Sequence, residues 1–397
     1  MTHHNTMLIC GHVQNSKRKQ NMAKTSARID TITVKPTELV AALTHAAKAR
    51  RPVFLWGGPG IGKSQIAKQV ADGLDFDFFE DIRLSMMDPT SLMGIPMPSQ
   101  DNDGNTVARW SPPHFYKRST TKGNGEKAFY LFDEMNAAPQ SIQAAAYQIV
   151  LDRRFGEFQL GANDFVMACG NRETDKGATF KMPTPLMNRF IHLELRVDFE
   201  DWQTHALSKS FDANVVGYLT FQKAELNNFD PTSASRGFPT PRSWEFVSDL
   251  VGSEPNLSEN VITALVAGAV GEGVAIKFLQ YRKTASQLPN PSDILSGKVK
   301  DLKSKEISVM YALTTGLCYE LKTAYELTQG ANPRLKNEDW LKMADNFIGF
   351  MLDNFQPELT ILGARTALSV FRLPFNPVKL TNWDRFANRY MDLIIKA

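Results

Sequence analysis

Residues 55–67 read LWGGPGIGKSQIA, and the fold follows from how this stretch is punctuated. Gly57, Gly58, Pro59, Gly60 and Gly62 crowd between a short apolar run, 53–56, and a segment of helical spacing, 64–74. The spacing Gly-x-x-x-x-Gly-Lys-[Ser/Thr] is satisfied over 57–64, in the setting that gives it meaning: after a strand and before a helix. Glycines let backbone N–H groups curl around phosphate oxygens, and the helix start adds partial positive charge. Lys63 would reach the terminal phosphates and Ser64 would ligate Mg²⁺. The candidate nucleotide-binding residues are therefore Gly57, Gly58, Pro59, Gly60, Ile61, Gly62, Lys63, Ser64 and Gln65.

Outward from this turn, short apolar strands alternate with helical patterns from residue 52 to about 195, which predicts a parallel sheet with crossover helices. Strands are expected at 53–56, 78–84, 128–132, 165–169 and 191–195. Helices are expected at 37–49, with Leu39, Leu43 and Ala46 on one face, and at 141–151, with Ile142, Ala145, Ile149 and Val150 on another. After about residue 200 the strand patterns stop. Helical spacing returns over 261–281 and 307–327, so the fold class is α/β followed by a mostly α region. Stretches rich in Gly, Pro and Ser at 229–241 and 288–297 read as loops between helical pieces.

Two of the predicted strands end in chemistry. KAFYLFDEMNAAP, 127–139, closes its apolar run on Asp133 and Glu134. A carboxylate beside a phosphate loop can hold Mg²⁺, and its neighbour can deprotonate an attacking water. Asp133 is thus read with Ser64 as the metal pair, and Glu134 as the base. DFVMACGN, 164–171, ends in Asn171, an amide placed where ligands bind in parallel sheets, able to position the water or sense the terminal phosphate.

Composition narrows the setting. Lys and Arg number 45 against 42 Asp and Glu, and a net charge of +3 gives no general attraction to nucleic acid or membrane. Cys10, Cys169 and Cys318 match neither a disulfide framework nor a zinc spacing, which fits a reducing compartment. No stretch reaches 18 consecutive apolar residues, and a cytoplasmic location is expected. Residues 1–22 lack periodicity and read as a disordered tail in which His3 and His4 have no further ligand partners. DNDGN, 101–105, resembles the start of a calcium loop, but Thr106 stands where glycine is needed and Pro112 where a bidentate acid is needed, so a turn is expected.

Taken together, the motifs resemble the AAA+ ATPases, and among them the MoxR branch related to dynein and McrB. The likeness covers 37–250: GGPGIGKS matches Walker A, LFDEMNAAP matches Walker B, ACGN matches sensor 1, and PTPLMNRF matches the segment that carries the arginine finger. It implies that Arg189 is the finger acting in a neighbouring subunit, and that Arg242 in PTPRSW is sensor 2. Organisation in the family's terms is a core over 23–198, a helical lid over 199–300 and a C-terminal helical extension over 301–397. About 150 residues follow Arg242, more than a small lid needs. The resemblance also places an insertion at 87–113 and a hairpin at 151–164 toward the pore of a ring, which makes Arg153, Arg154, Phe155 and Phe158 candidate contacts with a client. An ordinary hairpin with two packed aromatics is the competing reading.

The implied function is a ring-forming ATPase, a hexamer in expectation, that uses ATP and Mg²⁺ to remodel a protein partner, one containing a von Willebrand factor A domain. A nucleic-acid motor and a nucleotide-regulated scaffold with little turnover remain the alternatives, and no Asn-Lys-x-Asp motif supports a GTPase.

Overall fold

The computed structural model describes residues 32–116, 126–175, 179–233, 235–253, 257–302, 306–329 and 333–395. The tail at 1–22, with His3, His4 and Cys10, lies outside the described residues. Ten strands and fifteen helices follow one another among the described residues. The first part comprises β1 (Thr33–Val34), α1 (Pro36–Lys48), β2 (Val53–Trp56), α2 (Lys63–Gly73), β3 (Phe78–Arg83) and α3 (Pro89–Met93). It continues through β4 (Ile95–Gln100), β5 (Thr106–Ser111), β6 (Ala128–Asp133), α4 (Gln140–Asp152), β7 (Arg154–Phe155), β8 (Phe158–Gln159), β9 (Phe165–Gly170), α5 (Thr184–Met187) and β10 (Ile191–Leu195).

Six of these strands form one sheet in the order β1-β10-β2-β9-β6-β3, every pair parallel. Burial on both faces explains why the central strands β2, β9 and β6 read as continuous apolar runs instead of alternating ones. Alternation is present, but both sides are apolar. Val53, Leu55, Phe129, Leu131, Phe165 and Met167 meet Leu39, Leu43 and Val70 of α1 and α2. Phe54, Tyr130, Phe132, Val166 and Ala168 meet Ile142, Ala146 and Ile149 of α4 on the other face. The edge strand β1, two residues long, was not anticipated, since so short a piece carries no periodicity.

From residue 199 onward the described residues are helical: α6 (Phe199–Ser208), α7 (Ala213–Phe221), α8 (Pro241–Ser253), α9 (Glu259–Val270), α10 (Glu272–Ala285), α11 (Pro291–Leu295), α12 (Ile307–Glu326), α13 (Asn337–Asn354), α14 (Pro357–Arg365) and α15 (Trp383–Ile395). The single helical stretch expected over 261–281 is two helices, broken at Gly271, whose φ of +86° suits glycine far better than a residue with a side chain. One helical core packs around Trp202, Trp244 and Phe278, a second around Trp340, Phe347 and Phe386. The two cores meet on α12, which gives Ala312 to the first and Met310, Leu313 and Leu317 to the second. Close approach there requires Gly217, because a Cβ on it would stand 2.6 Å from the backbone of Ala312. None of the described helices is long and apolar enough to cross a membrane.

Candidate active site

The turn between β2 and α2 has the shape its glycines predict. Gly60 and Gly62 adopt φ of +71° and +92°, and Gly62 caps α2, whose first residue is Lys63. Gly57 packs closely, a Cβ there lying 2.6 Å from the tip of the Ile61 side chain, which would have to shift. The Gly57 N–H donates to Gly170 O at 3.2 Å, which joins the loop to the end of β9.

Lys63 is the hub. Its Nζ donates to Gly57 O at 2.8 Å, Gly58 O at 2.9 Å and Asn171 Oδ1 at 3.0 Å, so all three ammonium hydrogens are used. Burial pushes its pKa below the ordinary 10.5, against the opposing pull of the Asp133 and Asp175 carboxylates. The Ser64 hydroxyl donates to Asp133 Oδ2 at 2.8 Å, while Asp133 Oδ1 accepts from Glu134 N at 2.8 Å. Glu134 itself takes φ of +55°, a left-handed conformation that is costly for a residue with a side chain and is found mostly where function demands it. Its carboxylate accepts a hydrogen bond from the Ser85 hydroxyl, at the end of the neighbouring strand. Asp81 of β3 is a third acid nearby; burial, with Asp133 and Glu134 beside it, raises its pKa. Cys169 is fully buried, and that burial holds its thiol well above the ordinary range, so it is neutral core.

Arg242 arrives from far along the chain. It lies in the first turn of α8, and its backbone N–H donates to Gly60 O at 3.1 Å. Thr240 packs so closely that a Cβ on Gly60 would be 2.7 Å from Thr240 Oγ1. Next to this contact opens a cavity of about 380 Å³, lined among others by Thr37, Gln65, Asp201, His205, Arg242 and Glu245. A space of this size, bounded by the phosphate loop and by α1, α2, α6 and α8, suits a nucleoside. Of its lining, the loop residues, Gln65 and Arg242 are legible from sequence motifs, whereas Thr37, Asp201 and His205 belong to none. Ser85 and Asn136 were also missed as individual residues. Asn136, 3% exposed, donates through Nδ2 to Asn171 O at 2.7 Å and so braces the loop that presents Asn171.

Lys63, Ser64, Asp133, Glu134, Asn171 and Arg242 are thus brought together by the ends of four elements. Arg189 stands apart: it donates to Pro185 O at 2.9 Å and lies 5.1 Å from the Tyr147 ring centre, with Nε buried and without a partner. The hairpin candidates divide. Phe155, read from the sequence as a pore contact, is instead fully buried, edge-on to Phe115 and Tyr130. Arg153 turns inward to donate to Gly161 O and Asp164 O at 2.9 and 2.8 Å. Phe158 packs on Tyr116, leaving Arg154 as the exposed member, 3.6 Å from Asp152. The 101–105 stretch is a hairpin turn between β4 and β5, with Asp101 Oδ1 accepting from the backbone of Asp103 and Asn105.

Fold and site together define a nucleotide-binding protein with a P-loop core. Residues 52–192 match the family model of the AAA domain, dynein-related subfamily. Midasin of Giardia intestinalis is 24% identical over 215 residues, which are 51% of this chain and 4% of that protein, so the chain spans a small fraction of that relative's length. The Thermotoga maritima RuvB Holliday junction branch migration motor is similar over 64% of this chain and 74% of its own, at 16% identity and a TM-score of 0.29. A variant of that RuvB covers 63% of this chain and 74% of its own, at 15% identity and a TM-score of 0.31. The family match and the midasin relative support an AAA+ ATPase.

Proposed function

We propose that the protein is a ring-forming, Mg²⁺- and ATP-dependent ATPase of the MoxR type, hydrolysing ATP at subunit boundaries to remodel or help assemble a protein partner. The observation that carries this reading is the hydrogen-bonded chain running from Asn171 through Lys63 and the phosphate loop, with Ser64 and Asp133 paired at the same helix start. The residues fit the substrate. Lys63 is held by two loop carbonyls and an amide, contacts that phosphate oxygens can share or replace, and the adjoining cavity accommodates a nucleoside.

In this reading the loop amides and Lys63 bind the phosphates, and Ser64 and Asp133 hold the metal. Mg²⁺, when bound, neutralises charge on the transferred phosphoryl group. Glu134 takes the proton of the attacking water; Ser85 and the left-handed backbone fix where its carboxylate points. Asn171 orients the water, and Arg242 closes the lid side. Arg189 serves a neighbouring subunit's site, a role supported by its unpartnered Nε. For the partner, the resemblance favours a protein with a von Willebrand factor A domain. Contact with it is assigned to Arg154 and to the exposed Ile95 and Met97 of the β4–β5 hairpin, 56% and 53% exposed.

Glu134→Gln should keep ATP bound and lower turnover by roughly a hundredfold or more, since an amide cannot act as a base. Mixing Glu134→Gln subunits with Arg189→Ala subunits, each inactive alone, should restore part of the hydrolysis, because one mixed boundary joins an intact base to an intact finger. Rings demonstrably mixed yet inactive would remove Arg189 from the mechanism. Stimulation by DNA or RNA, with none from a protein partner, would replace the protein client by a nucleic-acid one.

A further inference from the structure

In the sheet β9 and β10 lie on either side of β2, so a side chain leaving the end of β9 must cross the start of the phosphate loop to reach β10. Arg172, the residue after Asn171, makes this crossing. Its Nη1 donates to Glu194 Oε1 of β10 at 3.2 Å, and its Nε reaches both Asp175 oxygens at 3.1 and 3.2 Å. Nη2 stands 3.0 Å from Asp175 Oδ1, and the Arg172 backbone N–H donates to Asp175 Oδ2 at 3.1 Å. Between these anchors the guanidinium lies over Gly58, where a Cβ would come within 3.3 Å of Nη2. Glu194 in turn is in register with Trp56, the last residue of β2.

Both acids are largely covered, Asp175 at 6% and Glu194 at 21% side-chain exposure. Ion pairs of this kind are weak evidence for stability, because desolvation offsets most of the attraction. What this one does is geometric. A planar fork holding two carboxylates fixes orientation as well as distance, and one of the segments it joins, that after β9, carries Asn171, which holds Lys63. Gly57 and Gly58 carbonyls grip the ammonium from one side and Asn171 Oδ1 from the other.

We propose that Arg172 is a positioning residue: by clamping the segment after β9 to β10 across Gly58, it sets the angle at which Asn171 meets Lys63 and the transferred phosphoryl group. The inference rests on the ATPase reading above and adds a residue that none of its motifs contains. Asn136 braces the same loop from beneath through the Asn171 carbonyl, so Arg172 supplies the second of two supports.

The test uses the full chain with Arg172→Ala, Arg172→Lys, Glu194→Gln and the Arg172→Ala/Glu194→Gln pair, measuring kcat, KM, equilibrium binding of a slowly hydrolysed ATP analogue, and Tm. Arg172→Ala should lower kcat about tenfold while analogue affinity moves less than about threefold, the signature of an interaction used in the transition state. Lysine should not restore kcat beyond about twofold, because a point charge cannot hold both carboxylates. Glu194→Gln, an isosteric change that keeps the test available should Arg172→Ala fail to fold, should lower kcat by about threefold, and the pair should be no worse than Arg172→Ala, since clustered partners are non-additive. Unchanged kcat, full rescue by lysine, losses that multiply, or parallel falls in affinity and Tm would each overturn the proposal. A wild-type chain that neither binds nor hydrolyses ATP would instead overturn the ATPase reading beneath it.

Discussion

The α/β half and the helical half of this molecule are stabilised by the same burial of apolar surface but organise their polar groups in opposite ways. Around the sheet, charged and amide side chains converge on the strand ends: Asp133 ending β6 and Glu134 next to it, Asn171 and Arg172 after β9, Glu194 on β10. The region accepts costs that folding alone would avoid, among them a left-handed Glu134 and a buried ammonium at Lys63. The C-terminal core has its large side chains inside, with Trp340, Phe347 and Phe386 each at 2% exposure or less. Its polar contacts serve packing, as where Trp340 Nε1 donates to Leu321 O at 3.1 Å. Chemistry concentrates where charged and amide groups converge on the strand ends; left-handed backbone outside glycine occurs in both halves, at Glu134 and at Ser210 and Arg372.

That contrast can be broken by experiment. The largest effect is expected from Lys63→Ala, which removes the one side chain bonded to both the loop and Asn171; nucleotide affinity should fall by roughly a hundredfold or more. Tm should change little, since Lys63 is itself destabilised by burial. A nucleotide titration with unchanged affinity would sink the phosphate-loop reading.

Trp340→Ala should do the reverse, costing about 3–5 kcal/mol of stability through the cavity it leaves, with nucleotide affinity held within about threefold. Chemical denaturation and a binding titration on the same sample decide it. A large change in affinity would mean that the C-terminal core reaches the site, and the comparison would fail.

The smallest effect is a pH dependence with a defined sign. Because burial lowers the Lys63 pKa below 10.5, the unfolded chain binds more protons than the folded one between the folded pKa and 10.5. The Lys63 contribution to stability of the nucleotide-free protein therefore rises with pH across that window. Phosphates favour the charged form, so nucleotide affinity should move the other way, falling by at most about tenfold per pH unit as pH passes the folded pKa. Titrations at constant ionic strength check this. A flat alkaline profile shared by wild type and Lys63→Ala would show that Lys63 stays charged throughout.

Much of this was legible in advance. The sheet strands at 53–56, 128–132 and 165–169 were readable because continuous apolar runs bounded by turn residues leave few alternatives. The convergence of Lys63, Ser64, Asp133 and Asn171 was readable because strand ends of a parallel sheet share one edge. Between the two readings of the hairpin, client contact or packed aromatics, the buried Phe155 goes to the second, and the sequence could not choose because Gly156 closes on Met93 of the insertion, with a would-be Cβ 2.8 Å from its carbonyl.

What the sequence determined alone was the phosphate loop, the parallel core and the identity of the acid pair, because each depends on residues close together in the chain and on backbone rules that act locally. Only the tertiary structure decided which helices wall the cavity beside Gly60, that Ser85 holds Glu134, and that Arg172 spans the loop to Glu194. Those pairings join segments dozens of residues or a whole domain apart, and no local preference encodes them. They exist because strand order and the docking of α8 bring the partners within hydrogen-bond reach, where a few tenths of an ångström decide whether a contact is made.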